Sequence, residues 1–150
     1  MKRGKKIRIL CAGNGDVEYE HTVHNAIAEK NLSDYIKMLG IRGDIDSLMR
    51  KASAFVLPSR YEGMPLVLIE AQASGLPCVV ADTFSHEVDF GLDKVQWLPL
   101  NEDAAMWADA IERAIASGRA KKEQVVRVVN EKRFDSKMFA QTMCELYEKS

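Results

Sequence analysis

SRYEGMPLVLIEAQASGLP, residues 59–77, holds two glutamates eight positions apart, Glu62 and Glu70. Pro65 stands just ahead of the run 66–74 and Gly75 just past it. Proline first and glycine last is the asymmetry of helix ends. The short apolar segments on either side, SAFVLPS (53–59) and PCVVAD (77–82), read as buried strands. The stretch is therefore a strand–turn–helix–strand unit. Glu62 lies in the turn, and Glu70 lies one helical turn past Leu66.

The same alternation extends both ways. KIRILCAGNGD (6–16) is an apolar run broken by Gly13 and Gly15, a strand with its tight turn. Residues 17–30, with Val17, Val23 and Ile27, read as a helix. YIKMLGI (35–41) reads as a second strand, closed by Arg42, Gly43 and Asp44. A short helix over 45–51 follows, with Leu48 and Met49 facing inward and Asp44 as its N-cap. VQWLPL (95–100) is a fifth strand. Beyond it the chain reads as all helix. Met106, Trp107, Ala110, Ile111, Ala114 and Ile115 form one apolar stripe, and Trp107 reads as core. A second helix covers about 121–132. A third starts at Ser136 with Phe139, Met143, Leu146 and Tyr147 on one face. The pattern predicts an α/β fold: a Rossmann-like parallel sheet of about five strands, helices on both faces, right-handed crossovers and a helical C-terminus. Residues 1–150 form a single domain.

Composition narrows the function classes. Lys and Arg total 21 against 22 Asp and Glu, a net charge of −1, which gives no electrostatic case for nucleic acid. The basic residues Lys2, Arg3, Lys5, Lys6 and Arg8 read as a solvated lead-in to the first strand. Cys11, Cys78 and Cys144 are odd in number and lack a CxxC pair. They read as reduced core residues of a cytoplasmic protein. His21 and His24 have no third ligand near them in sequence, so no metal site is expected. No apolar stretch reaches the length of a membrane span, and the start lacks a signal peptide's apolar core.

In parallel sheets of this kind ligands bind beyond the carboxyl ends of the strands. The loops there are 13–16, 41–44, 59–65 and 82–87. Glu62 can reach into that crevice, and Gly63 lets a ligand approach the backbone. The first amides of the helix, at Leu66 and Val67, have no helical partners and suit phosphate. An anion cradle between two carboxylates fits a nucleoside diphosphate sugar. Arg42 reads equally as a surface residue or as a phosphate or stacking contact. His86, alone in a rim loop, reads as solvent-facing.

EGMPLVLIE (62–70) resembles the E-x7-E motif of retaining glycosyltransferases with the two-domain GT-B fold. CAGNGD, the segment from MLGIRGD to CVVAD, EVDFG and VQWLPL extend the likeness to group 1 (family 4) transferases of capsular and exopolysaccharide synthesis. The resemblance implies that Glu70 binds the ribose hydroxyls. Glu62 would contact the donor sugar and stabilise charge near the reacting carbon. Backbone amides at Gly63, Met64, Leu66 and Val67 would hold sugar and diphosphate. Ile41 and Arg42 would flank the base, and Gly13 would leave room beside the nucleoside. It implies a UDP- or GDP-sugar donor, a glycan or lipid-linked acceptor, no metal and no cofactor. It places the full-length protein in the cytoplasm, peripheral to the inner face of the membrane. Two family features have no counterpart here: the opening strand ending in Gly-Arg with its following lysine, and the N-terminal acceptor domain. With that strand missing from mid-sheet, the sheet must close up, leave a gap or borrow a strand. The chain therefore reads as the donor half of a two-domain enzyme, inactive alone, with either self-association through the unfilled sheet position or marginal stability. A second reading is a non-catalytic nucleotide-binding or association module of the same fold. A third, half of a sugar-nucleotide epimerase, fits the E-x7-E frame less well.

Overall fold

A computed structural model describes residues 7–132. The chain divides into two compact units between Ile45 and Asp46. In the first, β1 (Ile9–Ala12) and β2 (Ile36–Gly40) pair in parallel, joined by α1 (Val17–Glu29). Their register slips between Cys11 and Ala12. Asp16 starts α1 by accepting from the amides of Glu18 (3.0 Å) and Tyr19 (3.2 Å), an N-cap that satisfies two otherwise orphan donors. The Glu20 carboxylate reaches back to the Gly15 amide at 2.8 Å. No residue of α1 is fully buried. Val17, counted in the apolar pattern, is exposed, as are Ile9 and Leu10 of β1.

The second unit runs α2 (Ile45–Lys51), β3 (Phe55–Leu57), α3 (Leu66–Ala73), β4 (Cys78–Ala81), a 3-10 turn (His86–Val88), β5 (Val95–Leu98), α4 (Ala104–Ser117) and α5 (Lys122–Glu131). Its strands pair in parallel in the order β3-β4-β5. All four residues of β4 are fully buried, as expected for the central strand of a sheet covered on both faces. Val79 packs against Ala110 and Ala114 of α4. Strand alternation turns Cys78 and Val80 to the other face. α3 lies along β3 and β4 and touches α5, and Val125 and Val128 are the buried residues of α5. Burial pushes the Cys78 thiol up to about 12, with a smaller contribution from Asp89. Cys11 is only half-buried, and burial raises its thiol too.

The five strands and their parallel sense agree with the sequence reading, but they form a pair and a triple rather than one continuous ladder. A divided sheet is among the outcomes that the missing mid-sheet strand implies, although alternation of strand and helix alone does not show it. The α4 stripe holds at Trp107, Ala110, Ile111 and Ala114, whereas Met106 in the first turn is exposed. Met49 is buried and Leu48 half-buried in α2. The third C-terminal helix, Cys144 and the basic residues 2–6 lie outside the described residues. Among the described residues no helix is long and apolar enough to cross a membrane.

Two contacts far apart in sequence close the second unit. The Gln72 side chain is buried and saturated: Nε2 donates to Val88 O at 2.8 Å and Oε1 accepts from the Phe90 amide at 2.8 Å. At the end of α3, Gly75 adopts φ +73° and its carbonyl accepts from the Ala120 amide at 2.9 Å. A Cβ at this position would sit 3.2 Å from Ala120 O. Left-handed backbone and crowding both act against a side chain here. Gly75→Ala is expected to cost about 1–2 kcal/mol. A urea titration reads this as a lower midpoint at unchanged slope. An unchanged midpoint would mean that the α3–Ala120 junction yields freely.

Candidate functional site

β3 ends at Leu57, and the chain turns through 58–65 into α3. Pro65 is buried at the entry, with φ −75°, a value proline has pre-set for helix entry. The helix divides cleanly. Leu68, Ala71 and Gln72 face inward, while Leu66, Glu70 and Ala73 are exposed. Glu70 thus shares a face with Leu66, one turn away. Glu62 is half-buried in the loop; Gly63 and Met64 beside it are exposed.

The polar groups here are largely uncommitted. Among the described residues, neither the Glu62 nor the Glu70 carboxylate has a hydrogen bond or ion pair, and the amides of Gly63, Met64 and Val67 have no acceptor. The Leu66 amide differs from its sequence reading. It donates to Met64 O at 2.9 Å, because a tight turn at Pro65 folds the Met64 carbonyl back over it. The start of α3 therefore offers Val67 rather than both first amides. No side chain caps this end, so the partial positive charge there is unopposed by a local acid.

In the first unit the Gly13 amide donates to Gly40 O at 2.9 Å. This puts Gly13 against the turn that carries Ile41 and Arg42. Gly13 has φ +125°, and a Cβ there would meet nothing within 4 Å. Ile41 is exposed. The Arg42 guanidinium is bidentate to Asp44, both bonds 2.8 Å, and that hydrogen bond raises its already high pKa. Its side chain is engaged locally, although its backbone stays open. Gly13, Ile41 and Arg42 belong to one unit and the residues from Glu62 to Glu70 to the other.

His86 is exposed, as the sequence reading has it, but it is not alone. Nε2 lies 2.7 Å from Asp82 Oδ1, and the ring stacks on Trp97 with centroids 3.8 Å apart. Phe84 meets the same indole edge-on at 5.3 Å. Thr83 Oγ1 donates to Ser59 O at 2.9 Å, which ties the loop after β4 to the loop bearing Glu62. None of these partners is adjacent in sequence, and only Ser, Thr and aromatic residues in rim loops hinted at them. Among the described residues no group of three or more His, Cys, Asp or Glu is placed to hold a metal ion.

The family described as "Glycosyl transferases group 1" matches residues 1–132. The chain belongs to the group 1 glycosyl transferases. EpsF of Bacillus subtilis (strain 168), named as a glycosyltransferase, is 37% identical over 146 residues, covering 97% of this chain and 38% of EpsF. An Escherichia coli UDP-Gal:alpha-D-GlcNAc-diphosphoundecaprenol alpha-1,3-galactosyltransferase is 44% identical over 73 residues, 49% of this chain and 19% of that protein. Among solved structures, sucrose-phosphate synthase from Thermosynechococcus elongatus superposes with a TM-score of 0.78 at 24% identity. It covers 95% of this chain and 38% of that one. This group 1 glycosyl transferase chain therefore spans well under half the length of these relatives, and its fold agrees with the expected GT-B architecture.

Proposed function

We propose that the loop 59–65 and the start of α3 bind the sugar and diphosphate of a UDP- or GDP-sugar, as the donor half of a retaining glycosyltransferase. The observation that carries this reading is the set of uncommitted groups at one helix entry. The Glu62 carboxylate and the amides of Gly63, Met64 and Val67, at or just before the first turn of α3, have no partners among the described residues, and Glu70 lies one turn along the exposed face. Amides and the helix field suit the diphosphate. Glu70, an unpaired acceptor, suits ribose hydroxyls. Glu62 is placed to stabilise positive charge as the bond from sugar to phosphate breaks, a preorganised electrostatic role. It need not attack the sugar, so the two-carboxylate logic of glycoside hydrolysis does not apply. Charge on the departing diphosphate falls to backbone amides, with no metal required. The galactosyltransferase named above uses, by its name, a UDP-sugar and a lipid diphosphate acceptor, which supports the same classes here. A lipid-linked acceptor suits work at the cytoplasmic face of a membrane, and the free Cys11 and Cys78 suit that reducing compartment.

A thermal-shift titration of this chain with UDP, GDP and ADP tests the binding. One cognate nucleotide at tenfold excess over its Kd stabilises by about 1.4 kcal/mol, read as a raised midpoint. If none of the three moves the midpoint at millimolar concentration, the donor-site reading fails.

A further inference from the structure

The loop that carries Glu62 has few restraints of its own. Among the described residues, one side-chain hydrogen bond reaches 59–65 from outside the loop: Thr83 Oγ1 to Ser59 O, 2.9 Å, across 24 positions of sequence. The Ser59 hydroxyl then donates to Tyr61 O at 3.2 Å. The relay ends on the carbonyl immediately before Glu62. Its other end is firmly held. The Asp82 amide donates to Leu98 O at 2.8 Å. The same loop is pinned further on by His86 on Trp97 and by Gln72 on Val88 and Phe90. Loop 82–90 is thus a fixed post, and the Glu62 loop leans on it through a single hydroxyl.

We propose that Thr83 and Ser59 are positioning residues for Glu62. This rests on the reading of Glu62 as the group that stabilises charge on the donor sugar. The hydroxyl of Thr83 fixes where β3 ends and the turn begins, and the Ser59 hydroxyl fixes the peptide that aims the carboxylate. In this reading neither hydroxyl serves the donor, since both are spent on backbone carbonyls. Their loss therefore acts on turnover rather than on nucleotide affinity, since small misplacements of a catalytic group are costly while distant binding contacts persist.

The test compares Thr83→Val with Thr83→Ser in the full-length chain, with Glu62→Ala as reference. Thr83→Val removes the hydroxyl and keeps the shape; Thr83→Ser keeps the hydroxyl. Thr83→Val is expected to lower kcat about tenfold, short of the roughly hundredfold that a 1 Å misplacement can cost. UDP or GDP affinity should stay within about twofold, and Thr83→Ser should restore turnover. Amide exchange over 60–64, read by mass spectrometry on the same proteins, should quicken in Thr83→Val alone. Wild-type turnover and exchange in Thr83→Val overturn the relay. So does a parallel fall in turnover, affinity and thermal midpoint that Thr83→Ser fails to rescue. If Glu62→Ala also leaves kcat unchanged, or the full-length wild type transfers no sugar, the donor-site reading itself is what has failed.

Discussion

Glu62→Ala in the full-length chain is expected to lower kcat about a hundred- to a thousandfold, the usual loss on removing one preorganised transition-state group. Nucleoside diphosphate affinity should hardly change, because Glu62 serves the sugar and not the nucleotide. Glu70→Ala is expected to do the reverse: weaker UDP or GDP binding with a smaller effect on kcat at saturating donor. The contrast follows from where the two acids sit. Glu62 is half-buried in the turn before α3, while Glu70 is exposed one turn past Leu66. Interactions made only in the transition state lower kcat and kcat/KM together when removed; uniform binding contacts raise KM. Steady-state kinetics with calorimetric nucleotide affinities separates the two. Small and equal effects of both substitutions would contradict the assignment of roles.

Arg119→Ala is expected to destabilise the chain by about 3 kcal/mol, lowering the thermal midpoint by roughly 6–12 °C for a domain of this size. Arg119 lies between α4 and α5 and donates to Ser74 O at 2.6 Å, Met49 O at 2.6 Å, Arg50 O at 2.8 Å and Ala52 O at 2.8 Å. Those carbonyls belong to the C-terminal ends of α2 and α3, where helices leave acceptors without partners and carry partial negative charge. One planar cation answers both needs. The expected loss is far below four times that of a single charged bond, because the arginine is exposed and water replaces part of what is removed. Arg119→Lys should recover only part, since an ammonium lacks the spread of a guanidinium. Calorimetry gives the answer directly. A wild-type midpoint in Arg119→Ala would show that water serves these carbonyls equally well.

The local frame was legible because it depends on neighbours in sequence. Pro65 and Gly75 bracket α3, the apolar runs give β3, β4 and β5, and the stripe on α4 follows from its period. The frame around Glu62 and Glu70 was legible for the same reason. What stayed hidden joins residues distant along the chain. Arg119 reads as an ordinary surface arginine and Gln72 as a polar helix residue, yet one clamps two helices and the other fastens α3 to 88–90. His86 looked alone because Trp97 comes eleven positions later, on the next strand. The Leu66 amide was misread because a free first amide is the rule at helix starts, and only the turn at Pro65, which brings the Met64 carbonyl onto it, removes it.

The bonds of Arg119 span 45 positions to Ser74 and 70 to Met49. A link of that reach cannot close until α2, α3 and the end of α4 are already in place, and closing such loops early is entropically unfavourable. Interactions absent at the folding barrier leave the rate of assembly alone and slow the escape from the finished state. The clamp is therefore expected to slow unfolding more than it speeds folding, which unfolding and refolding rates of Arg119→Ala would read directly.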